Sequence, residues 1–355
     1  MTPALRWGLR IALATGALVL AVLAGEVVLR GLDPPRRANP SYFAEWSWIV
    51  LDPVLSWVNE PGQHEHFEVN SLGFRGRELE LKKPAGSVRI VCLGDSGTFG
   101  IWKKTEEENG YDNYPEELGQ MLRSRGHAEI EVVNAGVLGY STSHGLRQLV
   151  TQVLPLAPDI VTVRLGFNDH ALSWDPRLRA LEPDSPIARS AFYALADWRV
   201  VGLGLVARQR TRLLHPDPWS VVWTDPERFE QNLRRMTELA RAHDFHLLLL
   251  DYPLRPIERG ESPGQHPGIW KLLGVEDLAD LHRQHTAYQQ RLARIARETG
   301  TPLVDTARIC QRAESRCHNQ ADLVHLDRSG VRETATLVAD ELERLGWLEP
   351  RDGST

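Results

Sequence analysis

The sequence predicts an α/β protein in which helices cover both faces of a parallel sheet of about five strands, preceded by one transmembrane helix. An uncharged apolar run lies near the N terminus, and from residue 87 onwards short apolar strands alternate with amphipathic helices. This alternation requires crossover connections, which produce a parallel sheet. The strand runs are continuously apolar, as expected for strands that are buried on both faces.

The composition excludes four classes of protein. The chain has 355 residues, of which 42% are hydrophobic, and is therefore too apolar for a disordered protein. Its net charge is −6, whereas a dedicated nucleic-acid binder has a basic excess or stripe, so no nucleic acid is expected as a partner. Three cysteines are too few for a zinc finger or a disulfide scaffold.

Residues 1–32 are predicted to form a membrane anchor. The stretch Trp7–Leu29 contains only two charged residues, Arg10 and Glu26, which lie near its ends. A helix of this length crosses a hydrocarbon layer of roughly 30 Å. A cleaved signal peptide that ends at residues 22–24 is the alternative, and a buried core helix is the third interpretation. The first two interpretations place the rest of the chain outside the cytoplasm, in a periplasm or an extracellular space.

The remaining chain divides into a linker and irregular N-terminal wrap (33–86), a regular domain (87–348) and a tail (349–355). Apolar runs predict five strands: Val88–Leu93, Glu129–Val133, Asp159–Leu165, His246–Leu250 and Pro302–Val304. Amphipathic runs predict five helices: Tyr114–Arg125, Gly145–Leu154, Pro226–His243, Leu278–Thr299 and Ser329–Leu345. Glycine or proline marks many of the ends. Segments 171–224 and 252–276 do not fit the alternation and are expected to be insertions at strand ends.

A serine follows the first strand, in the motif Gly94-Asp95-Ser96-Gly97. The glycines on both sides permit a sharp turn and a close approach of substrate. A helix that starts here aims backbone N–H groups at a developing negative charge. The nucleophile elbow of the α/β-hydrolases needs a glycine two residues after the serine, but Thr98 stands there. Alone, the motif is more typical of a structural turn.

Two further motifs follow the second and third strands. The loop 134–141 contains Gly139, which can offer an unhindered backbone N–H, and the motif Gly166–Asp169 contains Asn168. An amide is a neutral donor that can hold an oxyanion without a shift of its pKa. Alone, the first motif is typical of a plain turn and the second of a helix cap.

Asp322 and His325 lie shortly before the last helix. In a turn, the aspartate can accept a hydrogen bond from one ring nitrogen and leave the other nitrogen to take a proton from a serine. In an open parallel sheet, chemistry is presented beyond the carboxyl ends of the strands, which is where these motifs fall.

Together the motifs resemble the four blocks of the SGNH hydrolases, also called the GDSL lipase/esterase family, over roughly Val88 to Leu345. The first block lacks the leucine of the family's name, and the stretch Ile101–Asp112 intervenes before the first helix. Residues 70–76 (NSLGFRG) are similar to the lead-in segment of membrane-anchored bacterial members.

The resemblance implies a three-layer α/β/α sandwich of the flavodoxin-like SGNH type that acts as a serine ester hydrolase without a cofactor or metal. In this scheme Ser96 is the nucleophile, His325 the general base and Asp322 the acid that orients His325. The oxyanion hole consists of the backbone N–H groups of Ser96 and Gly139 and the side chain of Asn168.

The expected substrate is a carboxylic ester of a small molecule, or of a cell-envelope glycan or lipid that the anchored enzyme can reach through the membrane contact at residues 7–29. An O-acyltransferase that moves the acyl group to a polysaccharide with the same triad is the first alternative. A non-catalytic carbohydrate-binding module is the second. The oligomeric state and the acyl chain do not follow from the sequence.

The cysteines and some of the histidines carry lesser expectations. Cys310 and Cys317 bracket a loop just before Asp322, and in an oxidising compartment they are expected to form a disulfide that braces it. Cys92 is expected to be a buried thiol. His282 and His285 lack a convincing third metal ligand, as do His64 and His66, so both pairs are expected on solvated surfaces. His170 is expected at the rim of the pocket.

Overall fold

The computed structural model of the chain forms two compact units, Met1–Val58 with Arg177–Asp217 and Asn59–Pro176 with Pro218–Thr355. The structure describes residues 2–32, 48–52, 54–100, 112–171, 198, 200, 203–204, 224–255, 278–311, 317–318 and 324–350.

The first unit contains the N-terminal helix α1 (Pro3–Leu32) and the strand β1 (Ile49–Asp52), which pairs with β2 (Ser56–Asn59) in a two-stranded sheet. The last residue of β2, Asn59, begins the second unit. Within α1, the 27-residue stretch Leu5–Gly31 is long and apolar enough to cross a membrane, and an 18-residue part of it has a mean hydropathy of 2.2. A signal sequence has the same features, so both sequence interpretations remain open. Glu26, which is buried in this helix, accepts hydrogen bonds from Arg30 Nε at 2.7 Å and from the backbone N–H of Val200 at 3.0 Å.

Residues 59–79, which we call the docked segment, open the second unit. They contain an antiparallel pair, β3 (Gly62–Gln63) and β4 (Glu68–Val69), followed by a turn in which Asn70 Oδ1 accepts from the N–H groups of Leu72 and Phe74. The side chain of Phe74 is buried. The sequence predicted an irregular N-terminal wrap over residues 33–86, and that division of the chain stays a prediction. Within it, the docked segment contributes only two residues each to β3 and β4 and is ordered by long-range contacts, described below.

Five parallel strands form the central sheet, which confirms the predicted fold class. They are β5 (Val88–Gly94), β6 (Ile130–Gly136), β7 (Ile160–Arg164), β8 (His246–Leu250) and β9 (Leu303–Val304). Their order in the sheet is β6-β5-β7-β8-β9. Gly94, the last residue of β5, lies beside Gly136 of β6 and Arg164 of β7, so three strands end at one place.

Helices flank the sheet. They are α2 (Ser96–Phe99), α3 (Tyr114–Ser124), α4 (Thr142–Gln148), α5 (Phe167–Ala171), α6 (Pro226–Ala242), α7 (Leu278–Thr299) and α8 (Arg328–Leu345). Short π-helical and 3-10 turns extend α4 to Leu156, and a 3-10 helix spans Thr306–Gln311. Helices α3 and α8 pack against each other and share a buried apolar cluster with alternate residues of β5. Helix α6 packs against α4, α7 and β8, which completes the second helical layer.

Candidate active site

The structure places Ser96 and His325 in direct contact at the carboxyl end of the sheet. Ser96 is the first residue of α2 and directly follows the turn after β5, and His325 lies three residues before α8. Ser96 Oγ and His325 Nε2 are 2.8 Å apart, and both side chains are half-buried. A serine hydroxyl at this distance from an imidazole nitrogen can transfer its proton to the ring.

Glycine is required at position 94 because the chain turns tightly here. A Cβ on Gly94 would lie 2.0 Å from Thr98 Oγ1 and 2.8 Å from the backbone oxygen of Arg164. Real Cβ atoms do not approach other atoms so closely, so any side chain would push α2 away from β7. The glycine therefore fixes where the helix that carries Ser96 begins.

Asp95 lies fully buried beneath the nucleophile turn and accepts three hydrogen bonds. The donors are the backbone N–H of Gly97 at 2.9 Å, the hydroxyl of Tyr252 at 3.1 Å and Nδ2 of Asn168 at 3.1 Å. The bond from Gly97 caps the N terminus of α2. One carboxylate thus joins the turn after β5, the loop after β7 and the loop after β8.

The charge of Asp95 is partly balanced by Arg164, whose guanidinium is buried. Arg164 Nη1 donates to the backbone oxygen of Gly97 at 2.9 Å, and its Cζ lies 4.7 Å from the ring centroid of Tyr252. Burial raises the pKa of Asp95 to about 6, while the positive charge of Arg164 and the hydrogen bonds from Gly97 and Tyr252 lower it. Sequence reasoning missed both Arg164 and Tyr252.

Asn168, in the first turn of α5, links Asp95 to the loop that contains Gly139. Its Nδ2 donates to Asp95 Oδ2 and, at 3.0 Å, to the backbone oxygen of Tyr140. Gly139 has a φ of +75°, a conformation that favours glycine. Both amide protons of Asn168 have protein acceptors, so an oxyanion at this position would share one of them. The oxyanion-hole roles of Ser96, Gly139 and Asn168 remain predictions.

Asp169 holds the start of α4 in place. It is fully buried and accepts from the backbone N–H and the hydroxyl of Thr142. Burial raises the pKa of Asp169 to about 7, against the effect of the two bonds from Thr142. This contact sets the position of the Gly139 loop, which directly precedes α4, relative to Asn168.

The expectations for His170 and His285 are wrong, because both side chains are buried. His170 Nε2 lies 2.8 Å from His285 Nδ1, and His285 Nε2 lies 2.7 Å from the backbone oxygen of Tyr252. A carbonyl oxygen only accepts, so His285 Nε2 carries the proton and its Nδ1 accepts from His170. Burial lowers the pKa of His285 to about 4 and that of His170 well below its usual value. The neutral pair therefore fixes the backbone of Tyr252.

Two of the predicted residues fall outside the described part of the chain. Asp322 lies outside the described residues, and so does the side chain of Cys310. Cys317 is disulfide-bonded, and Cys92 is a buried free thiol as expected. The orienting role of Asp322 and the pairing of Cys317 with Cys310 remain predictions. Among the residues that the structure describes, no group of three or more His, Cys, Asp or Glu side chains could hold a metal ion.

Comparison with known proteins assigns the family. The model of the GDSL-like Lipase/Acylhydrolase family matches residues 92–332. No curated protein sequence matches the chain. Solved structures with a similar fold include a lipase/acylhydrolase from Enterococcus faecalis (18% identity, 75% of this chain and 100% of that chain, TM-score 0.48). Another is an acetylxylan esterase from Geobacillus stearothermophilus (18% identity, 75% and 99% of the two chains, TM-score 0.44). The match over residues 92–332 spans more than half of the sequence, and the chain belongs to the GDSL-like lipase/acylhydrolase family of ester-hydrolysing enzymes.

Proposed function

We propose that the protein is a serine ester hydrolase in which Ser96 is the nucleophile and His325 the general base. The observation that carries this proposal is the 2.8 Å contact between Ser96 Oγ and His325 Nε2 at the carboxyl end of the sheet. Two residues that are 229 positions apart in sequence meet at hydrogen-bond distance, in the geometry that activates a hydroxyl.

The reaction has two steps. Ser96 Oγ attacks the ester carbonyl as its proton passes to His325, and the N–H groups of Ser96 and Gly139 with the amide of Asn168 stabilise the oxyanion. His325 then protonates the leaving alcohol, which leaves an acyl-enzyme on Ser96. Water then attacks the acyl-enzyme as its proton passes to His325, and His325 returns that proton to Ser96 Oγ as the bond to the serine breaks and the acid leaves. Asp322 would orient the ring of His325 throughout.

We propose that the substrate is an ester of a cell-envelope glycan or lipid and that the enzyme is anchored with its catalytic domain outside the cytoplasm. The apolar helix Leu5–Gly31 supports the membrane contact. The disulfide at Cys317 supports an oxidising compartment, since cytosolic proteins rarely keep disulfides. An O-acyltransferase would share the same acyl-enzyme and differ only in its acceptor.

The test is hydrolysis of p-nitrophenyl acetate by the full chain in detergent micelles. Ser96→Ala and His325→Ala should each lower kcat by roughly 10³-fold or more. The nucleophile and the base act as one unit, so the loss of either removes most of the rate enhancement that the two provide together. Ser124→Ala removes an exposed hydroxyl at the end of α3 and is the matched control. A fluorophosphonate should label the wild type and not Ser96→Ala. A Ser96→Ala variant that kept the wild-type rate would refute the assignment.

The alternatives are distinguished by the products of the same reaction. A hydrolase should release free acid at an undiminished rate when a polysaccharide acceptor is added. Transfer of the acetyl group to the polysaccharide would instead identify an O-acyltransferase. Failure of the fluorophosphonate to label Ser96, together with an absence of turnover, would favour a non-catalytic carbohydrate-binding module.

A further inference from the structure

The docked segment (59–79) lies before the family-matched residues 92–332, yet it contacts the helix that carries Ser96. Asn59 Nδ2 donates to the backbone oxygen of Gly136, the last residue of β6, at 3.1 Å. The backbone N–H of Arg75 donates to the backbone oxygen of Asn134 at 3.1 Å. One side-chain hydrogen bond and one backbone hydrogen bond thus attach the segment to the end of β6, directly beside α2.

The side chain of Arg75 reaches the far end of α2. Its Nη1 donates to the backbone oxygens of Phe99, the last residue of α2, and of Gly100, the second at 2.9 Å. The final carbonyl groups of a helix carry a partial negative charge and have no partner within the helix. A cationic guanidinium satisfies them and is favoured there by the local field.

Two aromatic rings hold the guanidinium of Arg75 in place. Its Cζ lies 5.2 Å from the ring centroid of Phe67 and 5.1 Å from that of Phe99. The two rings also contact each other edge to face, with centroids 5.1 Å apart. A planar guanidinium can contact aromatic rings while its N–H groups donate to carbonyls, which a lysine ammonium cannot reproduce.

We propose that Arg75 is a positioning residue that fixes Ser96 by holding the carboxyl end of α2. This inference rests on the proposed function. Helix α2 has a single turn, and the N–H of Gly100 donates to the backbone oxygen of Ser96 at 2.9 Å. A displacement of its last residue is therefore passed directly to Ser96. A shift of about 1 Å at a reacting atom can cost about 100-fold in rate.

The groove beside Arg75 makes this proposal testable by chemical rescue. Arg75 is half-buried and lines an open groove of about 740 Å³ together with Phe67 and Asn113. Arg75→Ala in the full chain should lower kcat for p-nitrophenyl acetate by about 10–100-fold and leave KM within about twofold. Millimolar guanidinium should restore much of the lost kcat, because the ion can enter from the groove. Ammonium at the same concentration should not.

Arg77→Ala is the matched control, since Arg77 is an exposed arginine in the same segment. Its kcat should equal that of the wild type and should not rise with guanidinium. If Arg75→Ala fails to fold, Arg75→Lys gives a second test, because it keeps the charge and loses the planar group. Its kcat should fall as well, and a wild-type kcat in Arg75→Lys would contradict the inference.

Two results would overturn the inference alone. One is an Arg75→Ala variant with wild-type kcat. The other is a folded variant whose lost activity guanidinium does not restore, which would show that the guanidinium group itself does not position Ser96. A wild type without esterase activity would instead overturn the proposed function, and this inference with it.

Discussion

At the scale of single residues, the buried carboxylate of Asp95 organises the site. Burial of a charge is costly unless hydrogen bonds and an opposite charge compensate it. Asp95 has three donors and the nearby guanidinium of Arg164, which together keep it ionised above a pKa of about 6. A protonated Asp95 would carry a hydrogen on one carboxyl oxygen. Its hydrogen bonds from Asn168 and from the backbone N–H of Gly97, in the turn that carries Ser96, would then be weaker or lost.

Tyr252→Phe should move the acidic limb of the kcat/KM profile to higher pH. The tyrosine hydroxyl donates to the ionised carboxylate and lowers the pKa of Asp95, so its removal raises that pKa above about 6. A hydrogen bond to a charged group contributes about 1.5–3 kcal/mol, so the limb should move by about one pH unit or more. The pH dependence of p-nitrophenyl acetate hydrolysis measures this shift.

Tyr114→Phe is the control for that experiment. It removes a buried hydroxyl that contacts Thr162 Oγ1 at 2.9 Å and does not touch Asp95. An acidic limb that moves equally in both variants, or in neither, would contradict the role assigned to Tyr252.

The sequence predicted the candidate site residues that stand in motifs after strands or before a helix. It did not predict the residues that contact those motifs from elsewhere in the chain. Ser96, Asn168 and His325 stand in short motifs whose position relative to a strand or helix signals chemistry. Tyr252 meets Asp95 across 157 positions, and no local pattern indicates that contact. Arg164 offered a weak signal, because an arginine at the end of a strand buried on both faces needs a partner.

At the scale of elements, hydrophobic pattern predicted strands and helices well and their ends less well. Strand β8 and helix α7 match the prediction residue for residue. Helix α4 starts three residues before the predicted Gly145, because Ser141 and His144 form a capping box. Its regular α-helical part ends at Gln148, and π-helical and 3-10 turns continue it to Leu156, where Pro155 has no backbone N–H to donate. The docked segment shows no helical or strand periodicity of its apolar residues, because its structure depends on contacts with residues that are far away in the sequence.

Gly136→Ala should disturb the contact between β6 and α2. A Cβ at this position would lie 2.2 Å from the backbone N of Phe99 and 2.8 Å from the backbone C of Thr98, and backbone atoms cannot rotate away. We expect a loss of about 3 kcal/mol in the free energy of unfolding, at the upper end for overpacking, together with a lower kcat. Thermal unfolding and esterase assays of the full chain in detergent measure both effects.

Gly119→Ala is the matched control for this overpacking. A Cβ there meets the flexible end of Arg123 at 3.2 Å and a methyl group of Val132 at 3.4 Å. Because alanine is favoured over glycine inside a helix, stability should be unchanged or rise by up to about 1 kcal/mol. Similar losses in the two variants would show that the approach of α2 to β6 is not the sensitive contact.

At the scale of the whole molecule, the N-terminal helix gives a prediction about the mature protein. The helix has mostly exposed apolar side chains over its length, as a segment in contact with lipid requires. The full chain should stay in the membrane pellet after alkaline carbonate extraction and enter detergent. Mass spectrometry of that fraction should recover peptides from residues 7–29. A mature N terminus directly after Ala24 would show a cleaved signal peptide instead.

The contact between Ser96 and His325 also determines at which stage of synthesis, export and folding esterase activity can appear. It closes a loop of 229 residues, and a loop of this length forms only after nearer contacts have restricted the chain. His325 lies near the C terminus, beyond every strand of the sheet. A chain that leaves the ribosome or crosses the membrane N terminus first can therefore form its sheet before His325, the proposed general base, becomes available. Under the proposed mechanism, a nascent or partly exported chain is chemically inert, and esterase activity reports that synthesis, transfer and folding are complete.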